Sequence, residues 1–352
     1  LKQLFRLLVV GTGLIIILTT VSTALMLPLG QQLPKSDRLA FMATVGDNLD
    51  VYIMDMARSL ITRFTRSEQW ERFPAWSPDG ESIAYHSGPP RQVQCSINYD
   101  IFVSRLDNRS VRQITGENLA PFLPPLPSFD SFNDIVLEPI RCAAMPDWSP
   151  NGEKIAFHAN PAGQWDIFVY NFTDDSVRQV TNGTGDEVLF DWGSDSRNGV
   201  FATGLEPTMT LSRLDTETGQ IEEITSLDDV TTPEGFINTP TGMLEDWHPT
   251  LSPDGSQIAF MSNRAGGEDI YVMNADGTDL RNLTSDSYSD SNPIWTADGQ
   301  IIFTSDRLGV TRLYTLDPQN GDVEMLIGWN FPHNMDGAAY WSPSFYASAP
   351  VS

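Results

Sequence analysis

"LSPDGSQIAFMSNRAGGEDIYVMNADGTDLRNLT", residues 251–284, decides how the chain is read. Two Asp-Gly pairs sit between short apolar runs. Asp-Gly between β-rich runs is a hairpin signal, because glycine takes the positive φ that such turns need. S-P-D-G leads into a strand at "IAF", "DIYV" makes the next, and N-A-D-G turns into a short last strand at "RNLT". Apolar runs without clean alternation suit strands buried on both faces. The carboxylates of "NADGTD" do not follow the D-x-D-x-D-G order of an EF-hand loop, so the stretch reads as turns rather than as a metal loop.

The pattern recurs along the chain. "FPAWSPDGESIAYHS" (73–87) leads to "YDIFVSRLDNRSVRQIT" (99–115), and "MPDWSPNGEKIAFHA" (145–159) to "WDIFVYNFTDDSVRQVT" (165–181). "LFDWGSDSRNGVFATG" (189–204) with "MTLSRLDTETGQIEEIT" (209–225) is a degenerate copy, and "NPIWTADGQIIFTSD" (292–306) with "TRLYTLDPQNGDVEMLI" (311–327) is the last. A repeated unit of about 45 residues and four short strands is the signature of propeller blades. "AAYWSPSF" (338–345) supplies a first strand with no second, and "RLAFMATVGDNLDVYIMDMARSLITRFT" (38–65) supplies strands two to four with no first. Joined, they make a sixth blade that closes the ring. The expected fold is therefore all-β: a six-bladed β-propeller with four-stranded blades, closed by the C-terminal strand on the N-terminal blade and preceded by one transmembrane helix.

"WSPDG", "IAF" and "DIYVMNADGTDLRNLT" resemble the TolB-type WD-like propeller repeat, and the resemblance covers about residues 38–345. It implies the fold strongly and the function weakly. TolB proteins are periplasmic propellers with a further N-terminal α/β domain, where this sequence shows an apolar segment and a short linker. Similar propellers serve as regulatory domains of prolyl-oligopeptidase-type peptidases and as pectate-degrading lyases that use histidines and a divalent metal.

The apolar segment sets the compartment. Lys2 and Arg6 precede an uncharged run, Leu7 to Leu27, of 21 residues. As a helix this spans about 30 Å, the thickness of a bilayer core. Basic residues on its N-terminal side predict an N-terminus inside and a propeller on the periplasmic or extracellular side of the cytoplasmic membrane. A cleaved signal peptide ending near Ser22-Thr23-Ala24 is the competing reading. The expected organisation is an anchor at 1–30, a linker at 31–37, the propeller at 38–345 and a tail at 346–352. Thr12, Gly13, Thr19, Thr20 and Thr23 make the anchor rich in small residues, which favour close helix–helix approach in membranes and are the candidate contacts to another subunit.

With 46 acidic and 21 basic residues, the formal net charge is −25. A chain this acidic repels phosphate backbones, so nucleic acid is not expected as a partner. Long connections at 87–99, 116–144, 226–246 and 328–337 fall on the face opposite the tight S-P-D-G and N-A-D-G turns. Long loops on a rigid scaffold commonly carry binding. The proline-rich insert 116–144 reads either as a loop packing its apolar residues on its own blade or as a docking surface. Its Phe122, Leu123, Leu126, Phe129 and Phe132, with Trp329 and Phe331 of the last connection, are the candidate partner-binding residues. Cys95 and Cys142 lie in neighbouring connections of that face and form the candidate disulfide.

Catalytic patterns are missing from the sequence: there is no G-x-S-x-G elbow, H-E-x-x-H or Walker loop. His86 and His158 share one repeat position, and His248 and His333 precede first strands; a metal site requires three of them to meet at one point. Asp50, Asp100, Asp166 and Asp269 recur before third strands and are expected to hydrogen-bond backbone. Trp76, Trp148, Trp192, Trp295 and Trp341 are expected to pack blades. No catalytic residue, cofactor or metal is expected. The function read from the sequence is a non-catalytic, membrane-anchored propeller acting as an interaction scaffold or accessory subunit of a membrane complex. A TolB-like periplasmic module binding peptides or envelope proteins is the alternative, and a metal-dependent glycan lyase is a third.

Overall fold

The structure is a computed structural model that describes residues 38–45, 47–55, 60–90, 99–123, 142–205, 208–226, 244–309, 311–326 and 344–346. They form six four-stranded antiparallel sheets. Blade 1 consists of β1 (Arg38–Val45), β2 (Asn48–Asp55) and β3 (Leu60–Arg63). Blade 2 follows with β4 (Trp70–Trp76), β5 (Ser82–Gly88), β6 (Asp100–Arg105) and β7 (Val111–Gln113). Blade 3 has β8 (Ala143–Trp148), β9 (Lys154–Ala159), β10 (Asp166–Asn171) and β11 (Ser176–Gln179), and blade 4 has β12 (Asp186–Trp192), β13 (Asn198–Leu205), β14 (Thr208–Asp215) and β15 (Gln220–Glu223). Blade 5 has β16 (Asp246–Leu251), β17 (Gln257–Ser262), β18 (Asp269–Asn274) and β19 (Arg281–Asn282). Blade 6 has β20 (Asp290–Trp295), β21 (Ile301–Ser305), β22 (Arg312–Leu316) and β23 (Val323–Met325). The C-terminal β24 (Ser344–Tyr346) pairs antiparallel with β1, Leu39 opposite Phe345, and completes blade 1 as the sequence predicts.

The second and third strands are buried on both faces because neighbouring blades pack face to face. Ile155, Phe157, Phe168 and Tyr170 are fully buried in one such layer, Phe260 and Ile258 in another. The fourth strands form the rim; β15 is exposed along its length. The S-P-D-G turns are held by side chains as well as by glycine. Asp79 Oδ1 accepts from the Ser77 hydroxyl at 2.6 Å and the Glu81 N–H at 2.9 Å, and Ser77 Oγ accepts the Ser82 N–H. Gly80 sits at φ 66°. In blade 4 the same position is Ser196, at φ 57°, which explains why that copy looks degenerate yet folds alike.

A second device recurs at the end of the fourth strand in blades 1 to 5. Thr65, Thr115, Thr181, Thr225 and Thr284 accept, through Oγ1, the N–H of Val51, Ile101, Ile167, Leu211 and Ile270 at 2.8–2.9 Å. The recurrent aspartates have structural partners: side chains of the fourth strand and its end in each case, and for Asp269 also the loop backbone of Asp286, as expected. Asp50 pairs with Arg63, Asp100 accepts from Thr115, Asp166 from Gln179 and Asp269 from Asn282.

Among the described residues no helix is long and apolar enough to cross a membrane; the expected span lies outside them. A 3-10 helix at Gly116–Phe122 opens the proline-rich insert and buries Leu119 completely.

Candidate functional site

The innermost strands position the site. In β4, β8, β12, β16 and β20 the pairing register slips once, beside Phe73, Met145, Leu189, His248 and Asn292 respectively. Each of these non-glycine residues has φ between 49° and 61°. Left-handed backbone costs such residues about 1 kcal/mol or more each, so the surroundings must enforce it. Part of the enforcement is visible. The Met145 N–H donates to His86 Nδ1 at 3.4 Å and the Leu189 N–H to His158 Nδ1 at 3.3 Å, each histidine belonging to the preceding blade. Proline follows in four of the five strands, where no N–H is needed.

The bulges turn the next residues onto the propeller axis. A cavity of about 450 Å³ lies there, lined by the Phe73-to-Trp76 segment and its equivalents, together with Pro150, Ser194, Ser252 and Pro253 of the turns between first and second strands. It therefore occupies the end of the axis beside the tight turns, on the face that the sequence alone leaves unremarked. Trp76, Trp148, Trp192 and Trp295 contribute aromatic walls. Indole N–H groups tie neighbouring blades: Trp192 Nε1 donates to the Asp147 carbonyl at 3.2 Å and Trp295 Nε1 to that of Thr250 at 3.1 Å.

Between proline and tryptophan the repeat varies: Ala75, Asp147, Asp191, Thr250 and Ile294, with Phe190 replacing proline in blade 4 and Leu251 replacing tryptophan in blade 5. The two aspartates are adjacent around the axis. Asp147 Oδ2 accepts the Trp192 N–H at 3.1 Å, and Asp191 Oδ2 the Leu251 N–H at 2.8 Å. Burial pushes Asp147 up to about 7. Asp191 rises well above the usual carboxylate range, first through burial and then through the charge of Asp147. No lysine or arginine lines the cavity among the described residues. His248 does, and burial lowers its pKa to about 4, so it is neutral at pH 7. The site is thus a pair of carboxyls without a counter-cation, framed by tryptophan and proline.

His86 and His158 face away from metal chemistry. Each spends Nδ1 on a bulge N–H, and each packs against aromatic rings: His86 tilted against Phe73 and Tyr99, His158 edge-on to Trp165 at 4.9 Å. Burial lowers His86 well below its ordinary value and His158 to about 3. Among the described residues no three His, Cys, Asp or Glu side chains gather around one point; His333 lies outside them.

Of the candidate docking residues, Phe122 is partly buried, edge-on to Phe168 of blade 3 at 5.1 Å. The backbone N–H of Leu123 donates to the Ala120 carbonyl at 3.2 Å. Leu126, Phe129, Phe132, Trp329 and Phe331 lie outside the described residues, as do Thr12, Gly13, Thr19, Thr20 and Thr23. Cys142 is buried and disulfide-bonded; Cys95, the only other cysteine, is outside the described residues. Sequence reasoning missed Asp147 and Asp191. The available signal was the break in the repeat between proline and tryptophan.

Residues 244–346 match the family described as TolB beta propeller domain. A 44-residue segment is 50% identical to the Tol-Pal system protein TolB of Anaeromyxobacter dehalogenans (strain 2CP-C), covering 12% of this chain and 10% of that protein. A 76-residue segment is 36% identical to the uncharacterized peptidase YuxL of Bacillus subtilis (strain 168), covering 21% of this chain and 12% of that protein. The matches thus span about a tenth of the length of these curated relatives. TolB from Acinetobacter baumannii has the same fold, with a TM-score of 0.63 and 18% identity over 88% of this chain and 67% of that one. By its repeat and by its architecture, the chain is a six-bladed β-propeller, and its residues 244–346 match the TolB beta propeller domain.

Proposed function

We propose that this propeller is a non-catalytic interaction module, held at the extracytoplasmic side of a membrane by residues 1–30 and serving as an accessory subunit of a membrane complex. The observation that carries the reading is the axial channel with Asp147 and Asp191 and, among the described residues, no cation in its lining. A basic segment of a partner protein complements it. A guanidinium or ammonium group entering the channel neutralises two crowded carboxyls and meets tryptophan faces that attract cations. The net charge of −25 adds long-range attraction for such a segment. Leu126, Phe129, Phe132, Trp329 and Phe331 remain candidates for a second contact on the opposite face, and the small residues of the apolar segment for a contact within the bilayer.

The test is affinity purification of the full chain from detergent-solubilised host membranes, beside the Asp147→Asn, Asp191→Asn double variant. The wild type is expected to retain a defined partner and the variant to lose it. A wild-type protein that is monomeric in detergent and retains nothing overturns the proposal.

A further inference from the structure

At the junctions of blades 1 and 2, 3 and 4, and 5 and 6, acidic side chains of the third strand and of the next blade's first strand come together, and arginines serve the junction acids of blades 1–2, 4–5 and 5–6. Arg63 serves Asp50 and Glu71, Arg264 holds Asp246 at 2.7 Å, and Arg307 holds Asp290 at 3.0 Å beside Asp269. The junction of blades 3 and 4 differs. Asp166 of β10 and Glu187 of β12 are 5% and 3% exposed, and their carboxyl groups lie within hydrogen-bonding reach of each other. At the position of Arg63 stands Gln179, whose Nε2 donates to Asp166 Oδ2 at 2.9 Å. Glu187 Oε1 accepts the Gly183 N–H at 3.0 Å. Asp166 Oδ1 and Glu187 Oε2 are left with no donor. Two buried acceptors in hydrogen-bonding reach of each other require a proton between them.

The surrounding charges do not supply an alternative. On β12, Asp186 adds a further negative charge. From β11 comes the neutral Gln179. On β9, Ala159 stands opposite Asp166, and the next residue, His158, is neutral with its Nδ1 occupied. The connection between β11 and β12 depends on this pair. Gly183 is held by Glu187, and Gln164 Nε2 donates to the carbonyls of Gly183 and Gly185 at 2.7 and 2.8 Å.

We propose that Asp166 and Glu187 form a proton-operated latch: one shared proton keeps Glu187 on Gly183, and its loss drives the two carboxylates apart and releases the 182–185 connection. The inference stands independently of any partner in the axial channel. Burial, and then Glu187, raise the Asp166 pKa to about 7, so the latch lets go as pH rises through neutrality.

Hydrogen exchange of the full chain, read on a peptide spanning residues 182–187 from pH 5 to 8.5, tests it. After correction for intrinsic exchange, opening is expected to increase by up to about tenfold per pH unit through the transition, as for one linked proton. Glu187→Gln, whose amide donates to Asp166, and Gln179→Arg, which supplies the cation found in blade 1, are each expected to flatten the profile. The infrared difference spectrum at pH 6 between wild type and Gln179→Arg is expected to show one protonated carboxyl lost. A flat wild-type profile, or an unchanged slope in Gln179→Arg, overturns the latch even if Glu187→Gln fails to fold.

Discussion

Replacing both channel carboxyls, Asp147→Asn with Asp191→Asn, is expected to stabilise the propeller above neutral pH and to change little near pH 4. Asparagine keeps an oxygen to accept the N–H groups of Trp192 and Leu251, now at 3.1 and 2.8 Å from the carboxylates. What it removes is charge. Both carboxyls are raised in the folded protein, so between about pH 4 and pH 7 the folded state binds more protons than the unfolded one. Wild-type stability from these groups is therefore full below pH 4 and is lost as pH climbs through 7. For Asp147 the rise from 3.8 to about 7 is about three units, or roughly 4 kcal/mol at 1.36 kcal/mol per unit. Both side chains keep partial contact with solvent, which screens the charge, so about 1–2 kcal/mol is the expected gain of the double variant at pH 8. Urea unfolding of both proteins at pH 4, 6 and 8 measures it. The Asp166–Glu187 pair contributes the same sign of pH dependence to both proteins and cancels in the difference. Equal stabilities at pH 8, or a variant that loses stability there, refute the argument that these carboxyls are crowded and unpaired. A variant that gains stability while losing its partner is the outcome that joins the two roles of the channel.

Three further outcomes follow from the packing. Phe168→Ala, which empties a fully buried site between Phe157 and Phe122, is expected to cost about 3–5 kcal/mol in urea unfolding. Thr181→Val leaves the buried Ile167 N–H without its 2.8 Å acceptor and is expected to cost about 1–3 kcal/mol, while Thr181→Ser stays close to wild type; equal losses in both argue against the hydrogen bond as the cause. Reduction of the disulfide at Cys142 opens a loop of about 48 residues and is expected to lower stability by about 4 kcal/mol, read as a shift in the unfolding midpoint with and without dithiothreitol.

The fold was legible because its signals are local and repeated. S-P-D-G, "IAF" and "DIYV" mark strands and turns within single blades, and the leftover strands at the two ends identify how the ring closes. The channel was less legible. Asp147 and Asp191 acquire their character from a neighbouring blade's backbone, and within their own blades only the variable position before tryptophan marks them. The bulges at Phe73, Met145, Leu189, His248 and Asn292 have no sequence mark beyond the proline that often follows. His86 and His158 looked like candidate ligands by repetition; their repetition reflects a repeated task, accepting the bulge N–H of the next blade. The Asp166–Glu187 pair was hidden for a similar reason. Asp166 and Glu187 belong to different blades and meet only across the junction.

Site-specific photo-cross-linking tests the central claim most directly. A photoreactive residue at Ala75, on the channel wall, is compared in host membranes with one at Glu222, on the exposed rim. The account predicts a discrete cross-linked partner from Ala75, lost when Asp147 and Asp191 become asparagine, and none from Glu222. Cross-links from Glu222 alone, or from Ala75 regardless of the two carboxyls, contradict it.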